Sequence, residues 1–142
     1  SAAGAMGMGV PSAVASSLRN PKRQVVCFVG DGGFLMTGNE MIAAVERNLP
    51  IRFIVSNNSS YGTIRLYQER NHPDRSIATD LTNPDFAAVA EAYGIRGFKI
   101  ERDEEIKPVI DEAFKVDGPS LVEVKTSLEY ISAFTTISQI RG

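Results

Sequence analysis

The sequence predicts a three-layer α/β/α fold, with a mainly parallel central sheet between two layers of helices. Three observations carry that reading. Short continuous apolar runs alternate with stretches of helical periodicity. The runs Gln24 to Val29, Ile51 to Ser56 and Leu121 to Val124 lack the in–out alternation of a half-solvated strand, as expected of parallel strands buried on both faces. The first run ends in Gly30-Asp31-Gly32-Gly33, a polar turn where open α/β sheets place their ligands.

The elements follow in order. Val10 to Leu18 reads as a helix that Asn20-Pro21 ends, and Gln24 to Val29 as a central strand. Thr37 to Arg47 is the next helix, with Met41, Ala44 and Val45 on one face. Pro50 opens the second strand, Ile51 to Ser56. A polar loop from Asn57 to about Asp80 contains a helical stretch near Thr63 to Arg70. Asn83 is placed as N-cap and Pro84 as first residue of a helix with the stripe Phe86, Val89, Ala90 and Tyr93, and Gly94 supplies its left-handed stop. Arg96 to Ile100 is a short strand. Ile106, Val109, Ile110, Ala113 and Phe114 form a further helical face, in which Pro108 lies early enough to be tolerated. Gly118-Pro119 turns into the last strand, and the tail from Ser127 to Gly142 receives no assignment.

The chain has 142 residues, the length of one domain, with 43% apolar and 23% charged side chains. Seventeen acidic and fifteen basic residues are interspersed, so no basic stripe exists for a nucleic acid. No apolar run approaches the ~18 residues of a membrane span. Cys27 is the only cysteine and lies inside an apolar run, which excludes an internal disulfide and reads as a small buried hydrophobe. These features are those of a soluble domain, expected in the cytoplasm. The start, Ser1 to Gly9, has neither an initiator methionine nor a signal-peptide pattern, as expected of a fragment or a processed chain.

The chemistry concentrates at two strand ends. Glycines at 30, 32 and 33 permit a tight turn and close approach of a ligand, and free N–H groups at the start of the following helix suit a phosphate. Alone, the motif reads equally as a plain turn. The second strand ends Asn57-Asn58-Ser59-Ser60-Tyr61-Gly62. If the two strands are parallel neighbours, Asp31 and Asn58 face one crevice from tips about 5 Å apart. A carboxylate and a carboxamide there suit a hard cation such as Mg²⁺, and the histidine and cysteine clusters of zinc or copper sites are missing. The alternative is that the two asparagines only shape a turn.

Gly30-Asp31-Gly32 followed by Asn57-Asn58 resembles the cofactor motif of the thiamine-diphosphate-dependent superfamily that contains acetolactate synthases, benzoylformate decarboxylase and pyruvate decarboxylase. Gly4-Ala5-Met6-Gly7-Met8-Gly9-Val10-Pro11, Asn48-Leu49-Pro50 and Tyr61-Gly62 are similar to stretches of the acetolactate synthases, so the likeness runs from Gly4 to Val124. It is to the C-terminal, diphosphate-binding domain alone. The resemblance implies thiamine diphosphate and Mg²⁺ as cofactors. Asp31, the Asn58 side chain and the Ser60 carbonyl would hold the metal. The N–H groups of Gly32 and Gly33 would take the diphosphate, helped by Gly30 and the turn at Tyr61 and Gly62. Gly4 and Ala5 would line the pyrimidine, and Met6 would lie under the bend of the cofactor, although packing in the core is the plainer role for a methionine. The bound cofactor would decarboxylate a 2-oxo acid by accepting the electrons left by CO₂.

The same resemblance places an activating glutamate on a separate pyrimidine-binding domain, of the same or another chain. No residue here matches it, and Glu40 reads as structural or solvated. The expectation is a homo-oligomeric lyase or carboligase whose isolated diphosphate-binding domain is inactive. The other readings are a separate subunit of a two-chain decarboxylase, and a non-catalytic Mg²⁺- and phospho-ligand-binding module of receiver or flavodoxin type. Arg65, Tyr67 and Arg70 would border a substrate channel or simply form a surface helix face. His72 reads as a solvated loop residue, and Phe134 and Ile137 either cover the site or pack on the sheet.

Overall fold

The computed structural model describes residues 4–142. Four parallel strands, β1 (Val25–Gly30), β2 (Ile51–Asn57), β3 (Arg96–Ile100) and β4 (Ser120–Lys125), lie in the order β1-β2-β4-β3. Their register pairs Gly30 with Ser56, Asn57 with Lys125, and Ile100 with Val124. The C-terminal tips of all four strands therefore share one end of the sheet.

The helices are α1 (Gly9–Arg19), α2 (Asp31–Thr37), α3 (Ile42–Glu46), α4 (Gly62–Asn71), α5 (Phe86–Ala92), α6 (Ile106–Lys115) and α7 (Ile137–Arg141). The main core lies between α1, α2, α5 and one face of the sheet. Phe53, Val55, Leu121, Phe34 and Phe86 are buried there, with the rings of Phe34 and Phe86 edge to face at 5.3 Å. A smaller core on the opposite face joins α6 to β3 and β4 through Ile100, Ala113 and Val122. The α/β/α layering expected from the sequence is present.

Four expectations change in detail. β1 is an edge strand among the described residues, because it pairs with β2 alone. The helix of the second face reaches only β3 and β4, so Phe28 of β1 is 73% exposed while Cys27, on the other face, is buried. Burial raises the Cys27 thiol to about 11, which keeps it neutral and unreactive. The helix expected from Thr37 instead starts at Asp31, directly off β1, and a 3₁₀ turn over Gly38–Met41 separates it from α3. Asn83 is not an N-cap: Asp85 is, accepting a hydrogen bond from the Ala88 N–H at 3.0 Å. The unassigned tail contains α7, which Thr136 and Gln139 start with a reciprocal capping box.

A buried cation closes the back of the sheet. Arg52 points from β2 toward the end of α6, where four carbonyls have no partner within the helix. Its guanidinium donates to the carbonyls of Phe114 (3.3 Å), Val116 (2.7 Å) and Gly118. Positive charge at a helix C-terminus is electrostatically favourable. Arg52→Ala leaves these carbonyls buried without donors, so equilibrium urea unfolding is expected to show a loss of at least about 2 kcal/mol.

Candidate functional site

The tips of β1 and β2 and the loops that follow enclose a cleft of about 370 Å³. Its floor is the start of α2, where Gly30, Asp31, Gly32 and Gly33 line it, and Ser60, Tyr61 and Gly62 form one wall. Gly4 and Met6 come in from the N-terminal segment, with Met6 at the lip and 44% exposed. The hydroxyl of Thr37 on α2 donates to the Gly7 carbonyl at 2.6 Å and so fixes this segment beside the helix. Nine of the eleven predicted cofactor residues thus meet in one space. Ala5, exposed between Gly4 and Met6, is not part of that lining.

Asn58 lies just beside the cleft. Its Oδ1 accepts the Ser60 N–H at 3.0 Å, and its Nδ2 sits 3.1 Å from where a β-carbon on Gly62 would stand. Asn58 also lines a neighbouring cavity with Ser56, Lys125 and Thr126. One lone pair of its Oδ1 remains available. The Ser60 carbonyl accepts the Gly62 N–H at 2.8 Å and likewise keeps a second lone pair.

The loop carrying these groups is clasped by main-chain bonds. Tyr61 donates to Thr79 and Leu81 to Ser59, each at 2.8 Å, and the Ser60 hydroxyl reaches the Thr79 carbonyl at 2.9 Å. Ser59 adopts a positive φ of 56° to make the turn. The excursion between the two sides of the clasp carries α4.

Asp31 is 2% exposed, and its two carboxylate oxygens accept one hydrogen bond each: Oδ1 from the Gly32 N–H (2.9 Å) and Oδ2 from the Asn83 side chain (2.8 Å). Among the described residues it has no cationic partner. A buried carboxylate held only by neutral donors is electrostatically incomplete, and a bound cation completes it. A zinc-type cluster is absent among the described residues, so the donor set is oxygen only. Gly32 is fitted as closely as its place in the motif suggests: an added β-carbon would stand 2.6 Å from the Tyr61 ring.

Three residues that sequence reasoning did not place at the site support it. Thr37 holds the N-terminal segment; Asn83 bridges Asp31 and Asn57; buried Glu123 on β4 accepts from the Asn57 Nδ2 at 2.7 Å. A glutamate between Val122 and Val124 on β4 was the one visible signal among them.

The chain matches, over residues 1–124, the family described as thiamine pyrophosphate enzyme, C-terminal TPP binding domain. It belongs to that family. Thiamine diphosphate, with Mg²⁺ as its companion ion, is the cofactor of this TPP-binding domain, and a receiver-type or flavodoxin-like module is thereby set aside. The domain is 40% identical to the Bacillus subtilis protein YdaP over 119 residues, 84% of this chain and 21% of that protein. It is 36% identical to the large subunit of acetolactate synthase isozyme 2 of Escherichia coli over 122 residues, 85% of this chain and 22% of the relative. The mitochondrial acetolactate synthase catalytic subunit of Saccharomyces cerevisiae is 33% identical over 122 residues, 86% of this chain and 18% of that protein. The chain therefore spans about a fifth of the length of the curated relatives it matches.

On the far side of the TPP-binding domain's cleft, α4 is tied to the tail by a buried acid. Glu69 on α4 accepts hydrogen bonds from Arg141 of α7 (2.8 and 3.0 Å) and from Arg65 (2.7 Å). Hydrogen bonding to Arg141 above all, with Arg65 and the Asp74 N–H adding to it, outweighs burial and lowers the Glu69 carboxyl from 4.5 to about 2. Arg65 and Arg70, considered at a substrate channel, divide: Arg65 is committed to Glu69 and Asp80, while Arg70 is exposed.

Two outcomes follow. Gly32→Ala must push the Tyr61 ring aside, and is expected to weaken binding of thiamine diphosphate with Mg²⁺ by at least about tenfold in isothermal titration. Because the Glu69 value is depressed in the folded state, its stabilisation is fully present above about 4.5 and is lost as pH falls toward about 2. Acid titration followed by stability and by protease access to α7 is expected to show that loss, and Glu69→Gln to remove the dependence from this window.

Proposed function

We propose that this chain forms the metal- and diphosphate-binding half of an acetolactate-synthase-like active site that acts on 2-oxo acids. The observation that carries the reading is Asp31: a buried carboxylate without a cationic partner among the described residues, at the strand tip that forms the floor of the cleft. Asp31, the Asn58 carboxamide and the Ser60 carbonyl would hold Mg²⁺, an oxygen-only set suited to that ion. Gly32 and Gly33, the second and third residues of α2, line the floor, and the absence of side chains there lets the diphosphate approach; the Gly33 N–H would donate to it, whereas the Gly32 N–H, expected to do the same, is given to Asp31 Oδ1. Met6 at the lip offers an apolar support beneath the organic rings, with Gly4 beside it. When bound, thiamine diphosphate supplies the electron sink for loss of CO₂.

The work of the chain's own residues is binding and orientation. Asp31, Asn58, Ser60 and the floor of the cleft would hold the anionic end of the cofactor, and Met6, half-exposed at the lip, would offer it an apolar contact. No acid among the residues lining the cleft other than Asp31 is placed to exchange a proton there. The group that does so belongs to a pyrimidine-binding domain, on the same or another chain, and the complete site lies between the two in an oligomer. The domain by itself binds but does not turn over pyruvate.

Isothermal titration with Mg²⁺ and thiamine diphosphate tests this. Saturable binding is expected, with a gain in stability of about 2.7 kcal/mol at a ligand concentration one hundred times the dissociation constant. Asp31→Ala is expected to abolish both. Binding unchanged by Asp31→Ala overturns the assignment, and steady pyruvate turnover by the isolated chain overturns its incompleteness.

A further inference from the structure

We infer that Asn83 is a positioning residue for the metal site, holding Asp31 through a line of buried side chains that ends on β4. The inference rests on the reading of Asp31 as a metal ligand. Its basis is a set of four side chains, Asp31, Asn57, Asn83 and Glu123, brought together from four segments. The two hydrogens of the Asn83 Nδ2 are divided between Asp31 Oδ2 and Asn57 Oδ1, both at 2.8 Å. Asn57 passes the connection on, its own Nδ2 donating to Glu123 Oε1 at 2.7 Å. Glu123 is anchored in turn by the Phe86 N–H on its other oxygen (3.0 Å) and by Lys125 (2.6 Å). Asp31, Asn57 and Glu123 are each no more than 2% exposed.

Chemistry explains why a carboxamide stands at position 83. A carboxylate that binds a cation must have its orientation fixed without its charge being neutralised. Lysine or arginine at 83 would pair with Asp31 and repel the incoming ion. Aspartate or glutamate there would add like charge and supply no donor. A carboxamide gives two neutral N–H groups in a fork, enough for both Asp31 and Asn57. Outer hydrogen-bond partners of this kind orient ligands and tune metal affinity.

The arrangement also carries a sign that it does not serve packing alone. The Oδ1 of Asn83 is buried and has no hydrogen-bond partner among the described residues. Burial of an unpaired acceptor is unfavourable, and an apolar side chain of similar size would avoid it. The fold keeps the asparagine for its nitrogen. Rotating the amide by 180° offers no relief, since an oxygen would then face the oxygens of both Asp31 and Asn57.

The experiment uses the full chain, with Mg²⁺ titrated in the presence of thiamine diphosphate. Asn83→Leu and Asn83→Ala are expected to weaken Mg²⁺ binding by roughly 10- to 100-fold, measured at a temperature where the metal-free variants remain folded. Asp31→Ala serves as the reference. If Asp31→Ala abolishes Mg²⁺ binding and the Asn83 variants leave it intact, the positioning role is overturned while the metal site stands. If Asp31→Ala has no effect, the metal site itself is overturned, and this inference with it. A second readout needs no variant: in the wild-type chain, the side-chain NH₂ resonances of Asn83 are expected to shift on Mg²⁺ addition together with the Gly32 amide. A Gly32 amide that moves while the Asn83 resonances stay still overturns the inference even where the variants fail to fold.

Discussion

A single buried negative charge organises this end of the molecule. Asp31 sits on the first residue of α2, where the chain leaves β1, and both its oxygens are held by neutral donors. Removing a carboxylate from water without a compensating cation is among the least favourable things a fold can do. The surrounding structure makes that tolerable by supplying main-chain and carboxamide hydrogens, yet leaves the charge uncompensated. The other buried acids among the described residues have cationic partners: Glu69 two arginines and Glu123 a lysine. The contrast sets Asp31 apart from these two acids.

The sheet topology explains why the charge can be shared. With β1 beside β2, the turns after the two strands open at the same end of the sheet, where Asn83 donates to both Asp31 and Asn57. The parallel arrangement also brings β4 alongside β2, placing Glu123 within reach of Asn57. A glutamate in an apolar strand is thereby linked, across two strands, to the floor of the cleft. What the family match implies chemically thus has a mechanical counterpart in the order of the strands.

Much of this was legible in the sequence, for definite reasons. Periodicity located the four strands and α1, α5 and α6, because each of these buries a stripe or a whole run. Gly30-Asp31-Gly32 and Asn57-Asn58 are legible only as a pair at two strand ends, since each alone reads as a turn. The failures are equally physical. β1 has the apolar run of a central strand, and nothing local announces that its second face lacks a covering helix. Asn83 before proline has the sequence grammar of a cap; its true partners are 52 and 26 residues away, and only the folded chain brings them together. The tail escaped because α7 is five residues long and is held by a distant acid rather than by a local pattern.

The clasp at the base of the α4 excursion has a consequence of its own. It is built almost wholly from peptide groups, between Tyr61 and Thr79 and between Leu81 and Ser59. Peptide groups are common to every amino acid, so the clasp does not depend on what the intervening residues are. The stretch it closes off can change in length and composition while the floor of the cleft keeps its shape. The α4 excursion is in effect an interchangeable insert, anchored without asking for particular side chains at either end.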